Sequence, residues 1–316
     1  MTRVLGIDGG QSGTRLRDSD GHEASSSGVS HLEGDTVRAL VDTVTAAWRA
    51  GRFDQMHRVV LGLTTAPADG AAADRLCAGI AATTRAAEVW LADDAVTSHA
   101  GALSLGWGVS VIAGTGVASL SLPEAGEPRI LGGHGFLLGD EGGAFWIGRR
   151  VLASILRARE GRDPVDDAAS GPLLAAAERR FGSLNDLAGR LHAGARPVDA
   201  IADFARDVFD ACEHGDALAT RVVEDAVGEL VLLVASGTRW AGADGSVVPL
   251  ALGGRLLADG TPLRRGLEAA LHRAELPVVS RSADRSPVEG AVLLGLRDAP
   301  GRYASLVHRW REKVAA

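Results

Sequence analysis

Cysteine and aromatic residues are scarce in this sequence. Its 316 residues include only two cysteines and are 4% aromatic. Cys77 and Cys212 lie far apart, with no CxxC pair and no Cys/His cluster, which argues against a disulfide framework and against a zinc or iron–sulfur site within one chain. We therefore predict that both cysteines are small buried hydrophobic residues.

The sequence also lacks an excess of basic residues and any long apolar run. Lys and Arg number 33 against 40 Asp and Glu, a net charge of −7, which disfavours a nucleic acid or an anionic membrane surface as partner. The N-terminal MTRVLGIDGG has no apolar signal segment, and no later run approaches the roughly 20 apolar residues of a membrane span. We expect a cytoplasmic protein that binds a small ligand.

Strand-like and helical segments alternate along the chain, which predicts an α/β fold. RVLGIDGG followed by TRLRDSDG is typical of a β-hairpin, and RVVLGL (58–63) and EVWLA (88–92) are typical of buried strands followed by helices. GVSVIAGTGVASLSL (108–122) repeats the pattern of strand, glycine turn and strand. The sequence therefore indicates two lobes that begin alike, as a duplicated unit would.

The lobes are expected to meet without a Pro/Ser-rich linker. We predict a first lobe over residues 1–105, completed by a C-terminal helix over 287–316, and a helix-rich second lobe over 106–286.

The first glycine turn, GIDGGQSGTR, matches neither common phosphate-binding motif. It has Thr14-Arg15 where GxxxxGK[ST] needs a lysine, and a returning strand where GxGxxG needs a helix. A hairpin tip of glycines still leaves bare backbone, so the N–H groups of Gly9 to Gly13 and the hydroxyls of Ser12 and Thr14 are candidate anion donors. A plain glycine-rich turn is the alternative.

Asp8 directly follows the apolar run VLGI, where an unpaired carboxylate would be costly. A magnesium ion held through water beside phosphate oxygens would neutralise it. The alternative is an Asx turn, in which Asp8 accepts hydrogen bonds from N–H groups of its own loop.

Two further glycine turns follow strands. Gly114-Thr115-Gly116 joins two strands, and if both hairpins face one cleft they would hold one polyphosphate from two sides. Gly253-Gly254 ends the strand LALGG, where a purine ring could lie against bare backbone. Ordinary tight turns are the alternative for both.

Carboxylates stand at two positions where chemistry could use them. Asp93 and Asp94 lie between a strand and a helix, where one can cap the helix while the other orients an attacking hydroxyl for phosphoryl transfer. Capping by both is the alternative. In GDEGG, glycines flank Asp140-Glu141 and would let a polyhydroxylated ligand approach the backbone.

Taken in order, GIDGGQSGT, DDA, AGTG, GGHGFLLGDEGGAFWIG, ALGG and PVEGA resemble segments of the N-acetylglucosamine kinase family. That family belongs to the actin, hexokinase and heat-shock-chaperone superfamily and is related to the benzoyl-CoA reductase activator ATPases. The resemblance spans nearly the whole chain. It implies a two-lobed actin-like ATPase (ribonuclease H-like) fold with an interlobe cleft. It also implies a kinase that uses ATP and Mg²⁺ to phosphorylate the 6-hydroxyl of N-acetylglucosamine or a related amino sugar.

By this resemblance Asp94 is the catalytic base at the sugar O6, and Asp8 lies near magnesium. The residues implied at the ATP phosphates are Gly9, Gly10, Gln11, Ser12, Gly13, Thr14, Gly114, Thr115 and Gly116, with Gly253 and Gly254 near the adenosine. The residues implied at the sugar are Ser30, Thr65, Asp94, Thr115, His134 and Asp140. Because His134 stands where the family often has Trp, glucosamine stays open as the acceptor.

Two other functions stay open. An activator ATPase of a 2-hydroxyacyl-CoA dehydratase or benzoyl-CoA reductase system would need interface cysteines for an iron–sulfur cluster, and neither Cys77 nor Cys212 follows a glycine loop as expected. A catalytically silent sugar sensor could dispense with Asp8 and Asp94, and both are present. The sequence does not identify the amino sugar, and it leaves a homodimer open.

Overall fold

The computed structural model describes residues 2–10, 13–28, 35–64, 66–162, 171–242 and 245–312. The strands are β1 (Val4–Gly9), β2 (Gly13–Asp18), β3 (Glu23–Ser27), β4 (Arg58–Leu63), β5 (Glu88–Asp93), β6 (Gly108–Ala113), β7 (Val117–Leu122), β8 (Arg129–Leu131), β9 (Val248–Gly253), β10 (Val278–Ser282) and β11 (Val307–Arg311).

The α-helices interleave with these strands. They are α1 (Thr36–Gly51), α2 (Gly70–Thr84), α3 (Asp94–Ala102), α4 (Gly135–Leu138), α5 (Ala144–Arg159), α6 (Pro172–Phe181), α7 (Leu187–Ala193), α8 (Pro197–Asp203), α9 (Ala205–Glu213), α10 (Ala217–Ala241), α11 (Pro262–Arg273) and α12 (Pro287–Gly295). In these ranges we find no helix that combines the length and the apolar character needed to cross a bilayer.

The strands form two sheets with the same internal order. The first sheet runs β11-β5-β4-β1-β2-β3 and the second runs β10-β9-β6-β7-β8. Apart from β11, each sheet has a central antiparallel hairpin, a third antiparallel strand on one side and two parallel strands on the other. This shared topology supports the predicted duplication of one structural unit.

Side-chain caps start several of the helices where the sequence predicts them. The Asp35 carboxylate accepts hydrogen bonds from two N–H groups in the first turn of α1, and Asp69 does the same for α2. Ser286 and Glu289 form a capping box around Pro287, so α12 begins where the sequence indicates. These caps satisfy donors that the first helical turn leaves without partners.

Helices α3 and α12 pack against each other at close range. A β-carbon at Gly290 of α12 would lie 2.0 Å from the carbonyl oxygen of Thr97 and 2.5 Å from the amide nitrogen of Gly101, both in α3. One buried cluster contains Trp90 of the first sheet, Leu120 of the second and Ala291 of α12. The helix pair therefore packs where the two sheets meet.

A buried polar group ties this helix pair to the neighbouring segments. His99 of α3 has Nε2 3.2 Å from the carbonyl oxygen of Gly108 and Nδ1 2.8 Å from the Tyr303 hydroxyl. A carbonyl only accepts, so Nε2 carries the proton and the tyrosine donates to Nδ1. Burial lowers the pKa of His99 to about 4, which keeps the ring neutral.

The second half of the chain is helix-rich, as predicted. Its largest core joins the second sheet to residues of α5, α6, α9, α10 and α11. The boundaries predicted between the two lobes, at 105/106 and 286/287, stay predictions, since the helices and strands do not by themselves define domains.

The predicted C-terminal helix over 287–316 is wrong in its length. Helix α12 ends at Gly295, a 3₁₀ turn spans Gly301–Leu306, and β11 then pairs antiparallel with β5. Pro300-Gly301 keeps an α-helix from continuing through the following residues, because proline has no N–H and Gly301 has φ +61°.

Ion pairs hold β11 at the edge of the first sheet. Glu88 of β5 accepts hydrogen bonds from Arg309 at 2.8 Å and Arg311 at 3.2 Å, and Arg58 of β4 pairs with the same carboxylate at 2.8 Å. Arg58 also lies over the Trp90 ring at 4.3 Å. Burial acts to raise the pKa of Glu88, but its polar neighbours, Trp90 first and then Arg309 and Arg58, lower it to about 2.

Candidate functional site

The first predicted phosphate loop is the tip of the β1–β2 hairpin. Gly9 pairs with Thr14 across the hairpin, and the Gly10 N–H donates to the Gly13 carbonyl at 2.9 Å. A β-carbon at Gly9 would lie 2.5 Å from Cδ2 of Leu63, so a larger residue there would displace the Leu63 side chain.

Thr14 enters the protein interior at the base of this loop. It is 1% exposed, and within the part of the chain that the structure describes its Oγ1 has no hydrogen-bond partner. A buried hydroxyl without a partner is rare in folded proteins. The structure therefore places Thr14 at the predicted loop, with a polar atom that could bond a ligand there.

The second predicted loop, Gly114–Gly116, is fixed to the start of α5. The N–H groups of Ala144 and Phe145 donate to the carbonyls of Gly114 and Thr115, at 2.9 and 3.0 Å. These are N–H groups of the first helical turn, which has no carbonyl partners of its own. The loop conformation is therefore set by the helix behind it.

Asp93 and Asp94 divide the two roles that the sequence offers them. Asp93 caps α3, since its carboxylate accepts from the Ala95 N–H at 2.9 Å. Asp94 is the first residue of α3, and its Oδ2 accepts a hydrogen bond from the Thr64 hydroxyl at 2.5 Å. Asp93 therefore caps α3 at the end of β5, while Asp94 contacts Thr64, which follows the neighbouring strand β4.

The two carboxylates have perturbed ionisation. Burial is the main reason that the pKa of Asp93 rises to about 7, and the adjacent Asp94 charge adds to it. Burial also raises the pKa of Asp94, against hydrogen bonds from Thr64, Asp93 and the Ala95 N–H that stabilise the ionised form. Both carboxyls therefore titrate above the ordinary range of aspartate, each raised first by burial.

Asp140 lies directly against the second loop. Its backbone has φ +60°, in the left-handed region, and its carboxylate accepts from the N–H groups of Val117 and Gly135. A β-carbon at Gly116 would lie 2.2 Å from Oδ2 of Asp140. Burial, and the nearby charge of Asp94, raise the pKa of Asp140 to about 6.

Asp8 completes a group of carboxylates near Asp94. Burial first and the Asp94 charge second raise the pKa of Asp8 to about 6, and Arg15 opposes them. Such a carboxylate suits a cation as neighbour. Three or more His, Cys, Asp or Glu side chains arranged to hold a metal ion do not occur in the described ranges. A magnesium ion here would need oxygens from water or from the nucleotide.

The third glycine pair lies beside the second loop. Gly254 has φ +83°, and a β-carbon there would lie 2.2 Å from the carbonyl oxygen of Ala113, the residue before Gly114. A β-carbon at Gly253 would lie 2.7 Å from Ile112. The structure thus brings the predicted adenosine region next to a predicted phosphate loop.

Left-handed glycines form the segment before Asp140. Gly132, Gly133 and Gly135 have φ +63°, +67° and +74°. His134 lies between them as an exposed residue at the start of α4. The backbone conformation favours glycine at these positions, which explains why this stretch is rich in glycine.

Four predicted residues, Gln11, Ser12, Ser30 and Thr65, lie outside the described residues. Thr64 also belongs to the site, although no sequence motif predicted it. Its position directly after the buried strand β4, beside Thr65, is the sequence signal that could have indicated it.

Neither cysteine lies in this group of residues. Cys77 is buried in α2, where burial raises the pKa of its thiol to about 12. Cys212 of α9 is partly buried, with its sulfur 3.9 Å from the Thr220 hydroxyl oxygen. Full burial is thus confirmed for Cys77, whereas Cys212 is only partly buried.

Comparison with known proteins adds family information to this geometry. The chain is 27% identical over 246 residues to the glucosamine kinase GspK of Vibrio cholerae, which covers 74% of this chain and 80% of that protein. It is 27% identical over 147 residues to the N-acetylmuramic acid/N-acetylglucosamine kinase of Clostridium acetobutylicum, or 46% and 47% of the two chains.

A solved structure shows the same fold. The protein from Chromobacterium violaceum, provisionally named an N-acetylglucosamine kinase, superposes with a TM-score of 0.70 at 24% identity, covering 93% of this chain and 99% of that one. The predicted two-lobed actin-like ATPase fold is thereby confirmed. The family model for BadF/BadG/BcrA/BcrD ATPases matches residues 5–295. The chain therefore belongs to the BadF/BadG/BcrA/BcrD ATPase family.

Proposed function

We propose that the protein is an ATP-dependent kinase that phosphorylates the 6-hydroxyl of an amino sugar, N-acetylglucosamine or its close relative glucosamine. One observation supports this most strongly: Asp94 interacts with residues that contact each of the two glycine loops. Thr64 links it to the first loop, and the charge of Asp94 acts on Asp140, which contacts the second. A kinase needs its base at the phosphoryl group in this way.

In the proposed reaction the O6–H bond of the sugar breaks as its proton passes to Asp94. The O6–phosphorus bond forms while the bond to the leaving oxygen of ADP breaks. Backbone N–H groups of the loops at Gly9–Gly13 and Gly114–Gly116 would stabilise the phosphate charge, with Gly253-Gly254 beside the adenosine. A magnesium ion held through water by Asp8 would neutralise charge on the phosphates.

The charge of the site favours some acceptors over others. Asp8, Asp94 and Asp140 together disfavour an anionic sugar such as N-acetylmuramic acid. Asp140 and His134 would contact the sugar. Neutral N-acetylglucosamine and cationic glucosamine are therefore the first acceptors to test, in a protein that we expect to act in the cytoplasm.

An activator ATPase, also known in related families, has less support. It would use cysteines to hold an iron–sulfur cluster between two subunits, whereas Cys77 lies in the core of the first sheet and its helices. Cys212 belongs to the periphery of a different core.

The test is ADP release with a panel of acceptors: N-acetylglucosamine, glucosamine, N-acetylmannosamine, N-acetylmuramic acid and glucose. We expect sugar-stimulated turnover that Asp94→Asn lowers by about 10²-fold or more, because the variant lacks the base. Hydrolysis of ATP that no sugar stimulates would instead indicate an activator ATPase. Sugar binding without turnover would indicate a sensor, and either result would refute the kinase.

A further inference from the structure

Thr64 contacts the first glycine loop and the candidate base at once. Its N–H donates to the Gly9 carbonyl at 3.0 Å, and its hydroxyl donates to Oδ2 of Asp94 at 2.5 Å. A β-carbon at Gly10 would lie 3.6 Å from the same hydroxyl oxygen. Backbone and side chain of one residue thus join two parts of the site that are distant in sequence.

The hydroxyl is placed to govern both orientation and charge of Asp94. A carboxylate at the first position of a helix can rotate about its side-chain bonds, and a hydrogen bond to one oxygen restricts that rotation. The same bond stabilises the ionised carboxylate against the effect of burial, which favours the protonated acid. A base must be ionised and correctly aimed before it can accept a proton.

We propose that Thr64 is a positioning residue that aims the Asp94 carboxylate at the acceptor hydroxyl and fixes it to the first phosphate loop. This inference rests on the proposed kinase function. It implies that the loop and the base move together, because the Gly9 carbonyl and the Asp94 carboxylate are both bonded to Thr64. A nucleotide that fixes the position of Gly9 would therefore also fix the position of the base.

Three variants separate the hydroxyl from the rest of the side chain. Thr64→Val keeps the shape and removes the donor, whereas Thr64→Ser keeps the donor. Thr45→Val is the matched control, since the Thr45 hydroxyl lies 2.9 Å from that of Thr83 in the contact between α1 and α2. Thermal unfolding and ADP binding check that each variant folds, and Thr64→Ala replaces the valine variant if that variant does not.

We expect Thr64→Val to lower kcat about 10- to 100-fold with little change in either KM, because the loss concerns the base and not ground-state binding. The acidic limb of its kcat/KM profile should move up by about one pH unit, since the lost bond favours the ionised acid. Thr64→Ser should stay within about threefold of wild type. A valine variant with wild-type kcat and pH profile, or a serine variant as impaired as the valine one, would overturn the inference.

A second measurement does not depend on turnover. Carboxyl ¹³C NMR of Asp-labelled protein follows the titration of Asp94, assigned by its absence in Asp94→Asn. We expect the Asp94 pKa to be higher in Thr64→Val than in wild type, and unaltered in Thr45→Val. Wild-type protein without sugar-dependent turnover would refute the kinase function alone. An Asp94 pKa that is the same in Thr64→Val as in wild type would refute the role of Thr64 alone.

Discussion

The contact between Gly116 and Asp140 gives a steric prediction for Gly116→Ala. The added β-carbon would lie 2.2 Å from Oδ2 and 2.6 Å from Cγ of Asp140. Atoms cannot remain this close, so either the carboxylate leaves its position or the glycine loop retreats. Both movements disturb the region between the two loops, while the apolar cores of the sheets stay in place.

The size of the effect follows from the distances. Ordinary van der Waals contact begins at 3.4 Å, so the carboxylate must move by about 1.2 Å. It accepts hydrogen bonds from Val117 and Gly135, and a shift of that size breaks at least one of them. Misplacement of a site group by about 1 Å costs about 10²-fold in rate, so we expect kcat/KM for the sugar to fall about 100-fold.

Initial rates of ADP release over a matrix of sugar and ATP concentrations test this prediction. Gly114→Ala is the matched variant, because a β-carbon at Gly114 meets nothing within 4 Å. It adds the same methyl group to the same loop without touching Asp140. Any change that it causes should therefore affect the KM for ATP and not the KM for the sugar.

Two results would refute the steric argument. The first is a Gly116→Ala enzyme with wild-type kinetics toward the sugar. The second is an equal loss of sugar kcat/KM in Gly114→Ala and Gly116→Ala, which would make the methyl group itself the cause and remove any special role for the Asp140 contact.

Three predictions concern stability. Because its pKa is held near 2, ionised Glu88 contributes about 3 kcal/mol to the free energy of unfolding. This contribution is present above pH 4.5 and is lost as the pH falls toward 2. Urea unfolding should therefore find Glu88→Gln less stable by about that much at pH 7 and closer to wild type at pH 4. No difference at pH 7 would contradict this. Neutral buried His99 contributes stability that is present above pH 6.5 and is lost toward pH 4 by up to about 1.4 kcal/mol per pH unit. His99→Gln should therefore flatten the dependence of the free energy of unfolding on pH. Parallel curves for the variant and wild type would contradict this prediction. Gly290→Ala should lower stability by about 1–3 kcal/mol or more, because its β-carbon meets Thr97. Gly228→Ala, with open space around it, should raise stability by about 0.5–1 kcal/mol. Thermal unfolding of both variants tests this, and equal shifts of the melting temperature would count against the close contact between α3 and α12.

Local patterns in the sequence were enough to predict the hairpins and the position of Asp94. The glycine turns at 9–13 and 114–116 each follow a short buried strand, and the structure forms a hairpin at both. The adjacent pair Asp93-Asp94 after a strand predicts a helix start, and the structure uses Asp93 as the cap. These features depend on residues close together in the chain, where propensity and capping determine the outcome.

Thr64 and strand β11 depend on contacts that no local pattern contains. The contact of Thr64 with Asp94 is set by the register of β4 against β1 and β5. Strand β11 is held by Glu88, which lies 221 and 223 residues away from its arginine partners. The predicted last helix over 287–316 starts at Pro287 as expected but ends at Gly295.

The candidate site occupies one topological position in both sheets, the carboxyl ends of the parallel strands. Loop 9–13 and Thr64 follow β1 and β4, Asp94 follows β5, and Gly114 and Gly254 follow β6 and β9. Ligands of open α/β sheets bind at this edge. Helix α3 starts there on the first sheet and packs against β6 and β7 of the second. Since Thr64 bonds Asp94 to the first loop, any movement between the sheets would change the distance from Asp94 to the second loop and leave its distance to the first unchanged. We therefore expect sheet closure to bring the second loop and the sugar to a base already fixed at the nucleotide.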